Sequence, residues 1–208
     1  MRNIIYFIFK RIADTIISFV ALIVLSPILL IFIILIKIDS KGPILFKQKR
    51  IGRHKKYFYI YKFRTMRIDT PRDTPTHMLA NPDQWITNMG GFLRKTSLDE
   101  LPQIINILKG NMSIVGPRPA LWNQKDLVEE RDKYGVHDLF PGLTGYAQIN
   151  GRDELSILEK AELDGYYVKY ICLWLDIKIF FGTLFKIFKF EGVVEGGTGE
   201  IEKNKDQE

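Results

Sequence analysis

The sequence predicts an α+β fold, predominantly helical, with an N-terminal re-entrant membrane helix kinked at Ser26-Pro27, a small β-hairpin and interfacial amphipathic helices. Three observations predict it. A long apolar run lies near the start, two aromatic and β-branched segments flank a polar turn, and helical apolar spacing recurs through the second half. The 208 residues, 46% hydrophobic and 26% charged, suffice for one ordinary domain with an appendage and are too apolar for disorder throughout. The expected division is a membrane helix over 1–40, a globular domain over 41–194 and a flexible tail over 195–208.

The apolar run, "IADTIISFVALIVLSPILLIFIILI", extends from Ile12 to Ile36. Its 25 residues could cross a hydrocarbon core of roughly 30 Å as one helix. No small-residue cleavage site follows, so a secretory signal is not expected. Two features favour a helix that enters and returns. Pro27 cannot donate a helical hydrogen bond, so the chain is expected to bend at Ser26-Pro27, with the Ser26 hydroxyl serving backbone groups freed there. Basic residues also flank the run on both sides: Arg2, Lys10 and Arg11 before it, a dense basic block after it. The positive-inside tendency draws both flanks to one side of the membrane. A tilted single span with a proline kink is the alternative.

The basic block runs from Lys37 to Arg67, where only Asp39 opposes its lysines and arginines; the chain's formal charge is +6. Such a block beside an apolar segment suits an anionic partner: phospholipid, nucleic acid or a phosphorylated small molecule. Cys172 is the only cysteine, so an internal disulfide and a cysteine metal cluster are excluded. His54, His77 and His137 lack the spacing of metal ligands.

Within that block, "PILFKQKR" and "KYFYIYKFRTM" read as two strands of a hairpin about "IGRHKK". "DTPRDTPTHMLANPDQ", with three prolines, reads as a loop containing at most short helical turns. Leu98, Leu101, Ile104, Ile105 and Leu108 mark a helix over 98–109 that stops at Gly110. "WNQKDLVEERDKYG" reads as an exposed helix, "FPGLTGYAQINGRDE" as an ordered loop and "ILEKAELDGYYVKY" as a further helix. "ICLWLDIKIFFGTLFKIFKF" reads either as a core helix or as one lying in a membrane interface. From Gly192 onward the chain is expected to fray, and "EGGTGE" lacks the context of a phosphate loop.

The chemistry centres on "RKTSLDELPQIINILKGNMSIVGPRPA". Ser97-Leu98-Asp99-Glu100 matches a helix capping box, and acids in a first turn complement the helix dipole. A cap does not require both acids, however, and Arg94, Lys95 and Arg118 crowd the segment with positive charge. Paired carboxylates among arginines suit phosphoryl chemistry, in which a carboxylate attacks phosphorus or holds a divalent cation while arginines screen the phosphates. Prolines on both sides of Arg118 would fix where its guanidinium points.

These residues, together with Ser26-Pro27, "FKQKRIG", "YKFRTM", "PGLTGYAQINGR" and "ELDGYYVKY", resemble the bacterial sugar transferase family. These are small monotopic phosphoglycosyl transferases that initiate glycoconjugate assembly on polyprenol phosphate. The resemblance covers Lys10 to about Val194 and implies the minimal catalytic form. It implies transfer of a sugar 1-phosphate from a UDP-sugar to polyprenol phosphate (undecaprenyl phosphate), with release of UMP, opening the assembly of a capsule, exopolysaccharide or glycoprotein glycan. Asp99 would form the covalent phosphosugar intermediate, and Glu100 would join it in holding magnesium. Arg94, Arg118 and Arg152, and less directly Lys62, Arg64 and Gln148, would contact phosphates or substrate. Implied partners are the two substrates and membrane phospholipid, with nucleic acid excluded and a homodimer left open. The implied location is the bacterial inner membrane, with the catalytic domain on the cytoplasmic face. Phe140 departs from the arginine that many members carry there, and "GPRPALWNQ" leans toward N-acetylated 6-deoxy sugars. Two other functions compete: a tethered module binding anions through the 37–67 block, and an ordinary metal-dependent glycosyltransferase, which the lack of a D-x-D motif disfavours.

Overall fold

The computed structural model describes residues 4–70, 82–151 and 154–189. Its helices and strands are α1 (Ile4–Asp39), β1 (Leu45–Ile51), β2 (Tyr57–Phe63), α2 (Asn88–Lys95), α3 (Ile104–Leu108), β3 (Ser113–Val115), α4 (Lys125–Asp132), β4 (Gly142–Thr144), α5 (Tyr146–Ile149), α6 (Ile157–Tyr170) and α7 (Leu173–Lys189). Most of the expected loop before α2 lies outside the described residues, as does the tail from Gly192; a short 3-10 turn, Pro82–Trp85, is the described end of that loop.

Among the described residues α1 alone is long and apolar enough to cross a membrane. Pro27 sits inside it and leaves the carbonyl of Ile23 without its usual donor. The Ser26 hydroxyl donates to that oxygen at 2.7 Å, the service expected of it from sequence. Mid-helix side chains Ile16, Ile17, Phe19, Val20, Ile23 and Val24 are each more than half exposed.

Both ends of α1, by contrast, are fastened to the rest of the molecule. Near its start Tyr6 and Lys10 donate to Asp176 of α7 at 2.7 and 2.5 Å. Arg11 donates to the carbonyls of Ile107 and Met112 at 2.7 and 2.9 Å. Asp14 accepts from the Ser113 hydroxyl and the Ile114 N–H. Near its end Phe32 and Ile36 are buried with Phe63 and Leu93, while Leu98 and Leu101 pack on the same cluster. Asp39 then accepts the N–H of Met89 at 3.1 Å.

The terminal carbonyls of a helix lack intrahelical donors, and Arg64 supplies them here. Its guanidinium donates to the carbonyls of Ile36, Ser40 and Lys41 and to the Ser40 hydroxyl. Gly42, at φ +129°, turns the chain beside it; a Cβ there would lie 2.1 Å from Arg64 Nη1.

β1 and β2 form the expected antiparallel hairpin, paired from Leu45 with Phe63 to Ile51 with Tyr57. Period-two alternation buries Phe58 and Ile60 and turns Tyr57 and Tyr59 outward. α3 is joined to β2 by Asn106, whose amide accepts from the Tyr61 N–H and donates to the Tyr59 carbonyl.

The structure corrects the sequence reading in two places. Residues 98–109 are not one α-helix: a 3-10 segment, Leu98–Gln103, precedes α3. Pro102 lacks the N–H that would close the first α-turn on Leu98. Ser97 adopts a left-handed conformation (φ 57°) and makes no side-chain cap, so the expected capping box is absent there. One does form at α6, between Ser156 and Glu159. Gly110, at φ +82°, follows α3 as expected.

The second correction concerns "FPGLTGYAQINGRDE", which contains β4 and α5. β4 pairs in parallel with β3, Ser113 opposite Gly142 and Val115 opposite Thr144. The backbones approach so closely that a Cβ on Gly142 would lie 2.2 Å from the Gly116 nitrogen. Three-residue strands are too short to show an alternation in sequence. α4, α6 and α7 form where helices were expected, and Tyr167 of α6 is buried with its hydroxyl donating to Asp176 at 2.6 Å.

Because buried Arg64 serves three carbonyls at and just past the end of α1, Arg64→Ala is expected to destabilise the protein by about 3 kcal/mol. Thermal unfolding of the purified protein in detergent, compared with wild type, measures this.

Candidate active site

The two acids sit on the 3-10 segment, 8% exposed each. Its flanking leucines face α1, and Asn106 fixes it against β2. Strand alternation brings Lys62 to the same place, on the hairpin face that carries Gln48 and Arg50. Lys62 Nζ donates to Glu100 Oε1 at 2.8 Å and lies 3.7 Å from Asp99 Oδ2. From the opposite side Arg118 grips Glu100 with both terminal nitrogens, Nη2 to Oε1 at 2.6 Å and Nη1 to Oε2 at 3.2 Å.

The adjacent acids are therefore not equivalent. Glu100 accepts three charge-assisted hydrogen bonds from two cations. Asp99 accepts no hydrogen bond among the described residues, its nearest recorded cation being Lys62 beyond bonding distance.

The other expected residues divide. Arg94, in the last turn of α2, is close enough to favour ionisation of Asp99. Arg64 is not brought to the acids: it closes α1. Gln148, in α5, donates to the Leu143 carbonyl, and its Oε1 is buried without a hydrogen-bond partner among the described residues. That oxygen would lie 3.2 Å from a Cβ on Gly145, beside Gly116 and the Pro117-Arg118-Pro119 turn. Arg152 lies outside the described residues. Phe140 offers no phosphate contact of its own; the guanidinium carbons of Arg53 and Arg11 lie 4.8 and 5.7 Å from its ring centre.

Sequence reasoning did not single out Arg50 or Arg131. Arg50 Nη1 donates to the Pro119 carbonyl and its Nη2 to Gln48 Oε1; Arg131 Nη1 donates to the Arg118 carbonyl. Arg50 was legible in principle, since it shares a strand face with Gln48 and with Lys62 on the paired strand. Arg131 stands in "EERDK", which reads as a solvated charge run.

The family model for bacterial sugar transferases matches residues 5–190. The chain belongs to this family. It is 44% identical over 188 residues to the UDP-glucose:undecaprenyl-phosphate glucose-1-phosphate transferase of Klebsiella pneumoniae, an alignment covering 87% of this chain and 40% of that protein. It is 42% identical over 187 residues to an uncharacterized sugar transferase of Bacillus subtilis, covering 89% and 90% respectively. It is 41% identical over 187 residues to the exopolysaccharide production protein PSS of Rhizobium leguminosarum bv. phaseoli, covering 85% and 94%. The chain thus spans about two fifths of the Klebsiella relative and nearly the whole of the other two.

In this sugar transferase the two carboxyls titrate in opposite directions. Burial pushes Asp99 above its ordinary value; the Glu100 charge adds to that, while Lys62, Arg94 and Arg118 oppose it. Burial also disfavours ionised Glu100, but the Arg118 guanidinium, the Lys62 ammonium and their hydrogen bonds prevail and hold its carboxyl well below the usual range. The first-turn acids of an α-helix expected from sequence are here on a 3-10 segment, and for Asp99 burial is the largest influence, pushing its value up.

Adjacent carboxylates are the hard oxygen donors magnesium prefers, completed in such sites by substrate phosphate and water. Among the described residues no cluster of three or more His, Cys, Asp or Glu side chains could hold a metal by itself. Asp99 retains open lone pairs, so the donor set fits a cation shared with substrate phosphates.

Opposed titrations give opposed effects on stability. Glu100, with its folded value lowered, stabilises the fold above its ordinary value of 4.5, and that contribution is lost as pH falls through the lowered value. Glu100→Gln should cost about 3 kcal/mol at neutral pH by leaving Arg118 and Lys62 unpaired. Asp99, with its folded value raised, favours the fold below its ordinary 3.8 and loses that contribution as pH rises through the raised value. Asp99→Asn should therefore raise the unfolding midpoint at pH 7 by a few degrees, a gain that fades in acid. Thermal melts of wild type and both variants, from pH 8 down to well below pH 4, measure these shifts.

Proposed function

We propose that the protein transfers a sugar 1-phosphate from a UDP-sugar to undecaprenyl phosphate, releasing UMP, with Asp99 as the nucleophile. The observation that carries this reading is the division of labour in the acid pair: one carboxylate locked by two cations, its neighbour desolvated and open. In the first step an Asp99 oxygen attacks the β-phosphorus of the donor. The bond from that phosphorus to the bridging oxygen breaks, and UMP leaves with the electron pair. In the second, a phosphate oxygen of the lipid attacks the same phosphorus and frees Asp99, forming a lipid diphosphate sugar.

Arg118 and Lys62, both held beside the acids by Glu100, would meet phosphate oxygens as charge moves toward UMP, acting as preorganised donors. Arg94 acts on the same charge from α2, and Arg152 and Gln148 are assigned to the substrate from their motif. Magnesium, held by Glu100 and Asp99 with the diphosphate, would supply further screening of the phosphates. UDP-glucose is the first donor to test, because the Klebsiella relative is named for it.

We further propose that α1 is re-entrant and holds the domain on the cytoplasmic face of the inner membrane. Support comes from its two ends, both fastened to one globular body, Lys10 and Arg11 at one and Ile36 and Asp39 at the other. A helix crossing a bilayer would separate those ends. The exposed apolar middle then enters the lipid, bending near Pro27. α7, with Leu173, Trp174, Phe181 and Phe185 more than half exposed, lies in the interface with its lysines at headgroup level. Phospholipid is thus a partner, and the product opens capsule or exopolysaccharide assembly.

Asp99→Asn is expected to lower UMP release at least 1,000-fold (~4 kcal/mol of barrier) and to abolish the phosphosugar adduct detected by mass spectrometry of the wild type quenched with donor alone. A variant that still turns over normally would refute the nucleophile. Topology is tested in a Cys172→Ser background with single cysteines at positions 2 and 45. Neither should react with an impermeant maleimide in intact cells, and labelling of one alone would establish a single span.

A further inference from the structure

The Pro117-Arg118-Pro119 turn is held by more than its prolines. The carbonyl of Arg118 accepts from Arg131 Nη1 at 2.9 Å. Arg131, on α4, is 4% exposed, and both its Nε and Nη2 donate to Asp164 Oδ2 on α6, at 2.9 and 2.5 Å. Asp164 is 1% exposed, and its other oxygen is buried without a hydrogen-bond partner among the described residues, so this carboxylate is committed to Arg131. A buried ion pair gives little net stability compared with apolar residues of the same volume. Leucine and methionine could have joined α4 to α6; neither could donate to the Arg118 carbonyl.

That carbonyl is a sensitive place to hold. The prolines fix φ at positions 117 and 119, which leaves the peptide plane after Arg118 as the principal freedom of the turn. Arg131 pins one edge of that plane, and Arg50 pins the next carbonyl, of Pro119, at 2.9 Å. We propose that Asp164 and Arg131 are positioning residues for the Arg118 clamp: Asp164 orients Arg131, Arg131 fixes the main chain at Arg118, and the Arg118 guanidinium is thereby aimed at Glu100 and the donor diphosphate. This rests on the reading that Arg118 acts on a phosphate. Neither residue touches the substrate. Both act through a backbone oxygen, where a displacement of about 1 Å can cost on the order of 100-fold in rate.

The test is a double-mutant cycle on the full-length enzyme with UDP-glucose and undecaprenyl phosphate. Arg131→Lys keeps the charge beside Asp164, but one ammonium cannot span both the carboxylate and the Arg118 carbonyl. It is expected to lower kcat at least tenfold with an unfolding midpoint near that of wild type. In an Arg118→Ala background the same change should cost less than twofold, because the group being positioned is gone. Equal losses in the two backgrounds overturn the proposal. Should Arg131→Lys fail to fold, Asp164→Asn, which keeps shape and an acceptor toward Arg131, takes its place in the same cycle. If wild type releases no UMP from any UDP-sugar, the proposed function fails. The positioning claim is then read by calorimetry with inorganic pyrophosphate: at least fivefold weaker binding for Arg131→Lys, absent in the Arg118→Ala background, supports it, and uncoupled or unchanged binding overturns it.

Discussion

The structure turns on one buried carboxylate. Glu100 is removed from water and remains ionised only because Arg118 and Lys62 meet it in hydrogen-bonding geometry. An uncompensated charge at that depth would cost several kcal/mol, so the three segments carrying these groups are constrained together: the second hairpin strand, the 3-10 turn and the Pro-Arg-Pro turn. Asp99 follows from that constraint. Both cations donate to its neighbour, and the backbone places Asp99 in the same buried environment, so among the described residues it is left with no hydrogen bond of its own. A fold built for stability alone would not retain such a group, whereas a site that must form a bond at that oxygen requires it unencumbered.

The same segment sits between the two ends of α1. Leu98 and Leu101, on either side of the acids, pack with Phe32 and Ile36 near the end of the helix, while Arg11 near its start grips the Ile107 carbonyl at the far end of α3. Pro27 costs the helix one hydrogen bond, and Ser26 partly restores it by donating to the Ile23 carbonyl. Fastening at both ends uses specific polar contacts, Lys10 with Asp176 and Asp39 with Met89, and the middle is left apolar and exposed.

Much of this was legible in the sequence, for identifiable reasons. The hairpin was visible because seven-residue strands show alternation, and the acids, Lys62 and Arg118 because each stands in a dense local motif. The long apolar helix was visible from length and composition. What failed was chemistry that depends on partners distant in sequence. Ser97-x-x-Glu100 has the letters of a capping box, but Pro102 and the left-handed Ser97 break it, while the box at Ser156 passed unnoticed. Arg64 looked like a phosphate ligand because "YKFRTM" is basic, yet strand alternation sends Lys62 to the acids and a chain turn sends Arg64 to the end of α1. Arg131 stands in a stretch that reads as an exposed helix, yet it and Asp164 are among the most buried polar groups. β3 and β4 escaped because parallel pairing between residues 113 and 142 leaves no local trace.

Arg64 and Arg131 clarify what an arginine does in this molecule. Each sits in a basic or mixed-charge stretch, each is nearly inaccessible to solvent, and each uses its fork to hold main chain: Arg64 donates to three carbonyls, and Arg131 to the Arg118 carbonyl while its other nitrogens hold Asp164. A lysine ammonium, with one nitrogen, could not bridge two such groups in a fixed plane. The chain therefore uses buried arginines to set backbone where glycine and proline have made the turns sharp, at Gly42 after α1 and at Pro117 and Pro119 beside the acids. On the proposed reading the Arg118 guanidinium acts as a clamp because Arg131 and Arg50 hold the backbone it hangs from. The 37–67 block accordingly serves more than one purpose. Part of it faces outward, with Lys49 stacked near Tyr57 and Trp122; Arg50 and Lys62 face the acids, and Arg64 closes α1. Its net charge describes none of these roles, which are assigned by strand register.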